Sequence, residues 1–497
     1  MLKKDATHKI VFWGILITFA VIYSLISIVN HYNLRTNALD LGMFNHAIYN
    51  FSHFKSNAFT LSVHGNELNY FGDHFSPITA FLSPLYHLFG SYTLLIVQIF
   101  SILFGGVGIY KVAQHKLKSN WLSLLIMLHF FCIWAITSAL SFDFHTNVIG
   151  AMLVPWLLYY WMKNQFSNTL IVLVFIWICK ENMALFTAFI ALGLWVGGKV
   201  LNPSKNWKFD GLLCLSSLLY FVIVMKVIMP AFQGDSEITQ LAKYGYMGNS
   251  LGEIILYLFE NPSYIISSLF DGSWGNNDFT AIKLETHFMI LASGGLLFFL
   301  SPQLLIMLIP IYYQKFLAAD NMVWSIGLHY NIEFVPIISV ALILFLLKIR
   351  KTNLQIGIAM VFFITTTLLS FAKLNNREVP YYSFQKPKEN IFKIEHYITD
   401  YDIKEIKSIL KSIPNDVHVS TNNLFAPRLE KREKIYFFPY IKDAVYVILD
   451  KHKHGHYPLS DEDFEIKHEE LKQNKLYTLK LETKDLWLYE KTGYDYQ

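Results

Sequence analysis

Charge is what this sequence has least of. Only 16% of its 497 residues are Asp, Glu, Lys or Arg, against about a quarter in a soluble globular chain. With 54% of residues hydrophobic and a net charge of only +4, the composition excludes an ordinary soluble enzyme and gives no basic surface for nucleic acid. Cysteine is scarce as well. Cys132, Cys179 and Cys214 all lie in or beside apolar runs, and the absence of any Cys-x-x-Cys excludes a thiolate metal site and argues against a disulfide framework. Nucleotide motifs are missing too: there is no P-loop and no Gly-x-Gly-x-x-Gly after a strand. No internal repeat and no low-complexity linker interrupts the chain.

What fills the sequence is a series of apolar blocks, about eleven of them, many near the ~20 residues that cross a bilayer. The first, Ile10 to Val29, follows Lys3, Lys4 and Lys9 and is too long for a cleaved signal, so it reads as a retained anchor. Val148–Met162, Thr169–Ile178, Met183–Val196, Phe288–Leu300, Gln303–Leu317 and Glu333–Leu347 are short, as expected of tilted or half-length helices buried in protein. Lys116 and Lys118, Lys163, Lys199, Lys205 and Lys208, and Lys348, Arg350 and Lys351 fall on the side of the N-terminus. The positive-inside rule makes that side cytoplasmic. An odd number of crossings then places the C-terminus outside, in a multi-pass protein of the cytoplasmic membrane.

Residues 1–372 form the expected membrane domain, with a long first outer loop at 30–91, and residues 373–497 a small extracytoplasmic α/β domain. There, Thr399 or Asp400 can cap a helix running through Leu410. Val417–Val419, Lys434–Phe437 and Ala444–Leu449 read as strands, and Leu476–Leu481 with Leu486–Glu490 as a hairpin.

The polar residues with chemical potential fall in the loops assigned to the outer face. Ala38 to Phe51 has helical apolar spacing and reads as an amphipathic helix in the interface, with Asp40 at its N-terminal end where the dipole favours an anion. Glu67 follows, then Asp73-His74 before Pro77, a carboxylate and an imidazole suited to proton abstraction or metal binding. Asp143 and His145 join two membrane segments, Lys180-Glu181 interrupts an apolar run, and His329-Tyr330 precedes another. Ionisable groups at such depth are costly and are kept when functional or paired. Taken singly, each is an ordinary cap or interfacial polar residue; their convergence on one face favours a shared site.

In this order and spacing, Leu39-Asp40-Leu41-Gly42-Met43-Phe44, Asp73-His74-Phe75-Ser76-Pro77, Phe144-His145, Lys180-Glu181 and His329-Tyr330 resemble the membrane-protein family DUF2079. Pro414 through Arg428 and Phe438 to Asp450 extend the resemblance over most of the chain. That family is similar to the GT-C superfamily of membrane glycosyltransferases. The resemblance implies a polyprenyl-phosphate sugar donor, a glycan, lipid or protein acceptor, the bilayer as the donor's route, and inverting transfer on the outer face. It makes Asp40 the match to the essential acid of the first outer loop, with Asp73 or Glu67 as second acid. His74, Lys180 and His329 would stabilise the departing phosphate, with Arg35 and Arg377 as further phosphate ligands. A divalent cation, Mg or Mn, is the only cofactor it suggests, yet the loop lacks the tight Asp-Asp, Asp-x-Asp or Glu-x-Asp pattern common among such enzymes. A transporter or flippase, or a non-catalytic membrane scaffold, are the competing classes. Acids gathered at one face rather than the midplane, and the lack of repeated halves, argue against transport.

Overall fold

A computed structural model describes residues 2–55, 58–233, 242–274, 277–374 and 390–494. Among the described residues, six helices are long and apolar enough to cross a membrane: Thr7–Tyr32, Ile78–Leu117, Glu181–Val200, Trp207–Gln233, His329–Leu347 and Thr352–Ala372. A seventh span results if Asn120–Phe131 and Trp134–Ser141, bent by 45° at their break, are counted as one. Four of the expected short segments are not among these spans, whereas Met183–Val196 and Glu333–Leu347 are lengthened into Glu181–Val200 and His329–Leu347. The four form Thr146–Met162, Phe166–Trp177, Thr280–Ala292 continued by a 3-10 turn at Gly295–Leu300, and Gln303–Phe316. Among the described residues none of these is by itself long and apolar enough to count as a span, so eleven crossings are not established.

The chain divides into two compact units that alternate along the sequence. One comprises Met1–Tyr23, Gly72–Ile78 and Val97–Pro380; the other comprises Ser24–Phe71, Thr79–Ile96 and Tyr381–Gln497.

The first unit is a helical membrane body. Its helices approach closely where a side chain is missing: a Cβ on Gly106 would lie 2.2 Å from the Phe131 ring, and one on Gly193 would lie 2.6 Å from the Gln303 carbonyl oxygen. Small residues at such crossings let helices pack without a hydrophobic drive from lipid. Within Thr352–Ala372 only 11% of the apolar window is buried, against 83% for His329–Leu347. The former therefore presents its side chains outward to lipid, and the latter runs through the body's interior.

The second unit is built on a five-stranded sheet. Its order is Ile435–Phe437, Val419–Thr421, Tyr446–Asp450, Leu486–Lys491, Tyr477–Glu482. The first three strands are parallel and the last two antiparallel. Tyr446–Asp450 is central because its unbroken apolar run tolerates burial on both faces, and all five residues are buried. Tyr477–Glu482, with Lys480 and Glu482, is the exposed and charged edge. Phe438, Val447, Leu449, Phe464, Leu471, Tyr477 and Tyr489 pack as its core. The helix Ile403–Ser412 starts two to three residues later than expected, because Asp402, not Thr399 or Asp400, accepts from the Lys404 and Glu405 N–H groups. A helix at Asp461–Gln473 adds to the expected elements.

The segment expected to lie in the interface is instead enclosed. Ala38–Gly42 is a π-turn that continues into the helix Met43–Ser52, and every residue from Met43 to Asn50 is buried. Its polar side chains are taken up by protein: Asn45 Nδ2 donates to the Pro427 carbonyl at 3.1 Å, and His46 Nε2 meets the Arg432 carbonyl at 3.2 Å. Both faces of the helix are thus wrapped within the second unit, which an amphipathic pattern alone does not anticipate.

Candidate functional site

In the membrane body, the Asp73-His74 dipeptide meets the Lys180-Glu181 break. His74 Nδ1 lies 3.5 Å from Glu181 Oε1, and its Nε2 lies 3.9 Å from Asp73 Oδ2. Glu181 is buried in the first turn of the helix it opens, where the dipole favours an anion, and its Oε2 accepts the Phe75 N–H at 3.2 Å. Lys180 is the extended residue that precedes this helix.

A second group packs around His329. Its ring stacks on that of His145, with centroids 3.4 Å apart, and Phe142 stacks parallel to both. The turn carrying Asp143 and His145 is held by Gln98, whose amide donates to the Asp143 carbonyl at 2.8 Å and accepts the His145 N–H at 2.9 Å. Asp143 has φ +56°, a left-handed conformation that Asp tolerates better than most residues. Below the histidines, Asn147 Nδ2 donates to the buried Glu333 carboxylate at 2.7 Å.

These two groups form one electrostatic neighbourhood. His74, Lys180, Lys243 and His145 all act on His329, and Asp73 and Lys180 act on Lys243. Lys243 is placed over the Tyr330 ring, 5.7 Å from its centroid, and pairs with Asp320 at 3.6 Å. Burial pushes its ammonium below the usual lysine range, with Asp320 opposing. Seven of the residues singled out from sequence therefore converge: Asp73, His74, His145, Lys180, Glu181, His329 and Tyr330. Gln98, Asn147, Lys243, Asp320 and Glu333 join them without having been anticipated. Glu333 and Asn147 carried a signal, being ionisable or amide groups in apolar helices; Lys243 and Asp320 are ordinary loop residues by sequence.

Asp40, Arg35 and Glu67 belong to the second unit. Asp40 is half-buried in the first turn of the π-turn and faces Tyr457 electrostatically; burial first, and Asp40 second, push that phenol up. Arg35 was expected to hold phosphate, but its guanidinium donates to the carbonyls of His396 at 2.7 Å, Glu395 at 3.0 Å and Ile398 at 2.7 Å. Three carbonyls occupy its planar fork, and it ties two strands of chain together. Glu67 pairs at the surface with Lys434, 3.0 Å away. Arg377 lies outside the described residues. Among the described residues, no three His, Cys, Asp or Glu side chains gather as a group fit to hold Mg or Mn.

Apolar helices of spanning length with ionisable groups enclosed between them define a polytopic α-helical membrane protein carrying a small α/β domain. The chain belongs to the DUF2079 family, described as a predicted membrane protein, whose model matches residues 30–488. Among curated proteins none matches it. One similar solved structure is the crystal structure of ArnT from Cupriavidus metallidurans bound to undecaprenyl phosphate, at 10% identity and a TM-score of 0.49, covering 96% of this chain and 98% of that one.

Proposed function

We propose that this protein is a membrane glycosyltransferase of GT-C type that moves a sugar from a polyprenyl-phosphate donor to an acceptor on the outer face of the cytoplasmic membrane. The observation that carries the reading is the set of donors gathered in the membrane body: His74, Lys180 and Lys243, partly buried, around the buried His329. A phosphate leaving group needs positive charge and hydrogen-bond donors more than a general acid, and such groups are most effective where water is excluded. The positive-inside distribution of lysine and arginine supports an outer-face site and an extracytoplasmic α/β domain.

In this reading, Asp40 takes the proton of an acceptor hydroxyl or amine as its lone pair attacks the anomeric carbon. The bond from that carbon to the phosphate oxygen breaks on the opposite face, inverting the centre, and its electron pair leaves with polyprenyl phosphate. In the membrane body, His74, Lys180, His329 and Lys243 are donors of the kind that a leaving phosphate requires. Asp73 remains the candidate second acid.

The test is transfer from a panel of polyprenyl-phosphate sugars to labelled acceptor by membranes containing Asp40→Asn. Loss of a general base lowers the rate by about 10²–10⁴-fold. Unchanged transfer at wild-type membrane levels overturns the assignment.

A further inference from the structure

Between the spanning helix Trp207–Gln233 and the helix Thr280–Ala292, the membrane body carries two short helices, Leu251–Glu260 and Pro262–Ser268, joined through Asn261. Ser250 Oγ accepts the Glu253 N–H at 3.3 Å, and the Glu253 carboxylate accepts the Asn249 N–H at 2.9 Å, a reciprocal cap that starts the first helix. From Ile254 to Phe259 every residue is then aliphatic or aromatic. A helix apolar on all sides is enclosed by protein or by lipid. Protein encloses one side only: Ile254 and Ile265 are buried with Met247 and Leu317. On the other side, Ile255 is 46% exposed, Leu256 56%, Phe259 80% and, in the second helix, Ile266 61%. At ten and seven residues neither helix can cross a bilayer. Apolar helices of this length that are not buried in a core lie along the membrane interface.

The neighbours of this pair indicate lipid as what covers it. Phe270, just past the second helix, packs on the His287 ring with centroids 4.7 Å apart, and Lys283 Nζ donates to the carbonyls of Ser268 and Asp271. These contacts set the pair beside Leu284, Phe288 and Leu291, which recur at helical spacing along Thr280–Ala292 as an exposed apolar stripe. The exposed face of the pair thus continues the apolar exterior of the membrane body. Tyr257 meets Tyr246 and Tyr264 edge to face across the pair, and tyrosine is the side chain enriched where membrane meets water. No Lys or Arg occurs between Lys243 and Lys283, so this stretch has nothing basic to attract anionic headgroups.

We infer that Leu251–Ser268 is an interfacial helix pair whose outer face, formed by Ile255, Leu256, Phe259 and Ile266, is embedded among lipid acyl chains. The inference stands apart from the transfer reading, which uses none of these residues. It sets the turn that follows Lys243, packed under the pair through Tyr244 and Met247, at the level of the membrane surface.

The experiment uses the full chain in phosphatidylcholine nanodiscs, with photoreactive benzoylphenylalanine in place of Phe259; irradiation is followed by intact-protein mass spectrometry. Ile255, one turn earlier on the same face, is a second position should the first alter folding. The same residue at Leu368, exposed on the outward-facing span Thr352–Ala372, reports contact with lipid, and at Lys404, exposed on the α/β unit, contact with water. Phospholipid adducts at Phe259 are expected in a yield matching that at Leu368, and are expected to be lost at Lys404. Phosphatidylglycerol in place of phosphatidylcholine should leave the Phe259 yield unchanged. A yield as low as that at Lys404 overturns the proposal, as does an adduct with the mass of a second copy of the chain. A yield that rises in phosphatidylglycerol overturns acyl-chain contact in favour of headgroup recognition.

Discussion

Two buried carboxylates, one in each unit, are stabilised by opposite means. Glu181 in the membrane body has an imidazole at 3.5 Å, a backbone N–H at 3.2 Å and Lys180 as its chain neighbour. Among the described residues, Asp450 in the α/β unit has no cation among its close contacts beyond the nearby His452; it accepts the Tyr401 hydroxyl at 2.6 Å and the His452 N–H at 2.8 Å, and Asp485 lies near. One group is surrounded by positive charge and donors; the other has a neutral phenol, a backbone N–H with its His452 ring near, and a second acid. The contrast shows that burial alone does not mark a site. What distinguishes the membrane body is that opposite charges are brought together at depth, where each is expensive without the other.

The largest expected effect comes from breaking the compensated side. Glu181→Ala leaves His74 and the Phe75 N–H facing an empty acceptor position, and removal of one partner from a buried pair costs about 3 kcal/mol or more. Thermal unfolding in detergent should show a lowered midpoint, and Glu181→Gln, which keeps an acceptor for Phe75, should recover part of it. A midpoint unmoved in Glu181→Ala would mean that the pair contributes nothing to holding the break between the two helices.

On the other side, burial raises the Asp450 carboxyl to about 7, with Asp485 adding to the rise and Tyr401 opposing it. An unfolded aspartate titrates near 3.9, so between these values the folded chain holds a proton that the unfolded chain has released. Stability from this group is therefore complete below about pH 4 and is lost as the pH rises toward 7, at about 1.4 kcal/mol per pH unit over that window. Asp450→Asn should flatten that slope in unfolding measurements across the window. A slope that persists in the variant would assign it to other groups.

The sequence exposed much of this arrangement, but not its connectivity. Membrane blocks follow from composition because water is absent from the bilayer core, so each span must be locally helical and apolar. The strand Ile435–Phe437 lies inside the segment expected for it, and Tyr446–Asp450 starts inside its segment and runs one residue past Leu449, since short apolar runs bounded by turn residues signal strands. The helix Asp461–Gln473 was not anticipated, although its signal is present: Ser460 caps it, and Phe464, His468 and Leu471 recur on one face. The fate of Ala38–Ser52 carries no such signal. The Ala38 N–H donates to Asn423 Oδ1 at 2.8 Å across 385 positions of sequence, and no local periodicity reports such a partner. Lys243 escaped notice for the same reason: its meaning comes from Tyr330 and Asp320, remote in sequence and adjacent in space.

The smallest effect separates an exposed pair from both buried carboxylates. Glu67 and Lys434 lie 3.0 Å apart with side chains 49% and 36% exposed, so water and salt screen them. An exposed ion pair contributes under about 1 kcal/mol, and Glu67→Gln should shift the unfolding midpoint only slightly, less so at high salt. The same variant decides between the two candidates for a second acid. If Glu67 serves only its surface pair, Glu67→Gln transfers sugar at the wild-type rate while Asp73→Asn, beside His74 in the membrane body, is impaired. Loss of transfer in Glu67→Gln with an unmoved midpoint would make Glu67 the second acid and reduce Asp73 to a partner of His74.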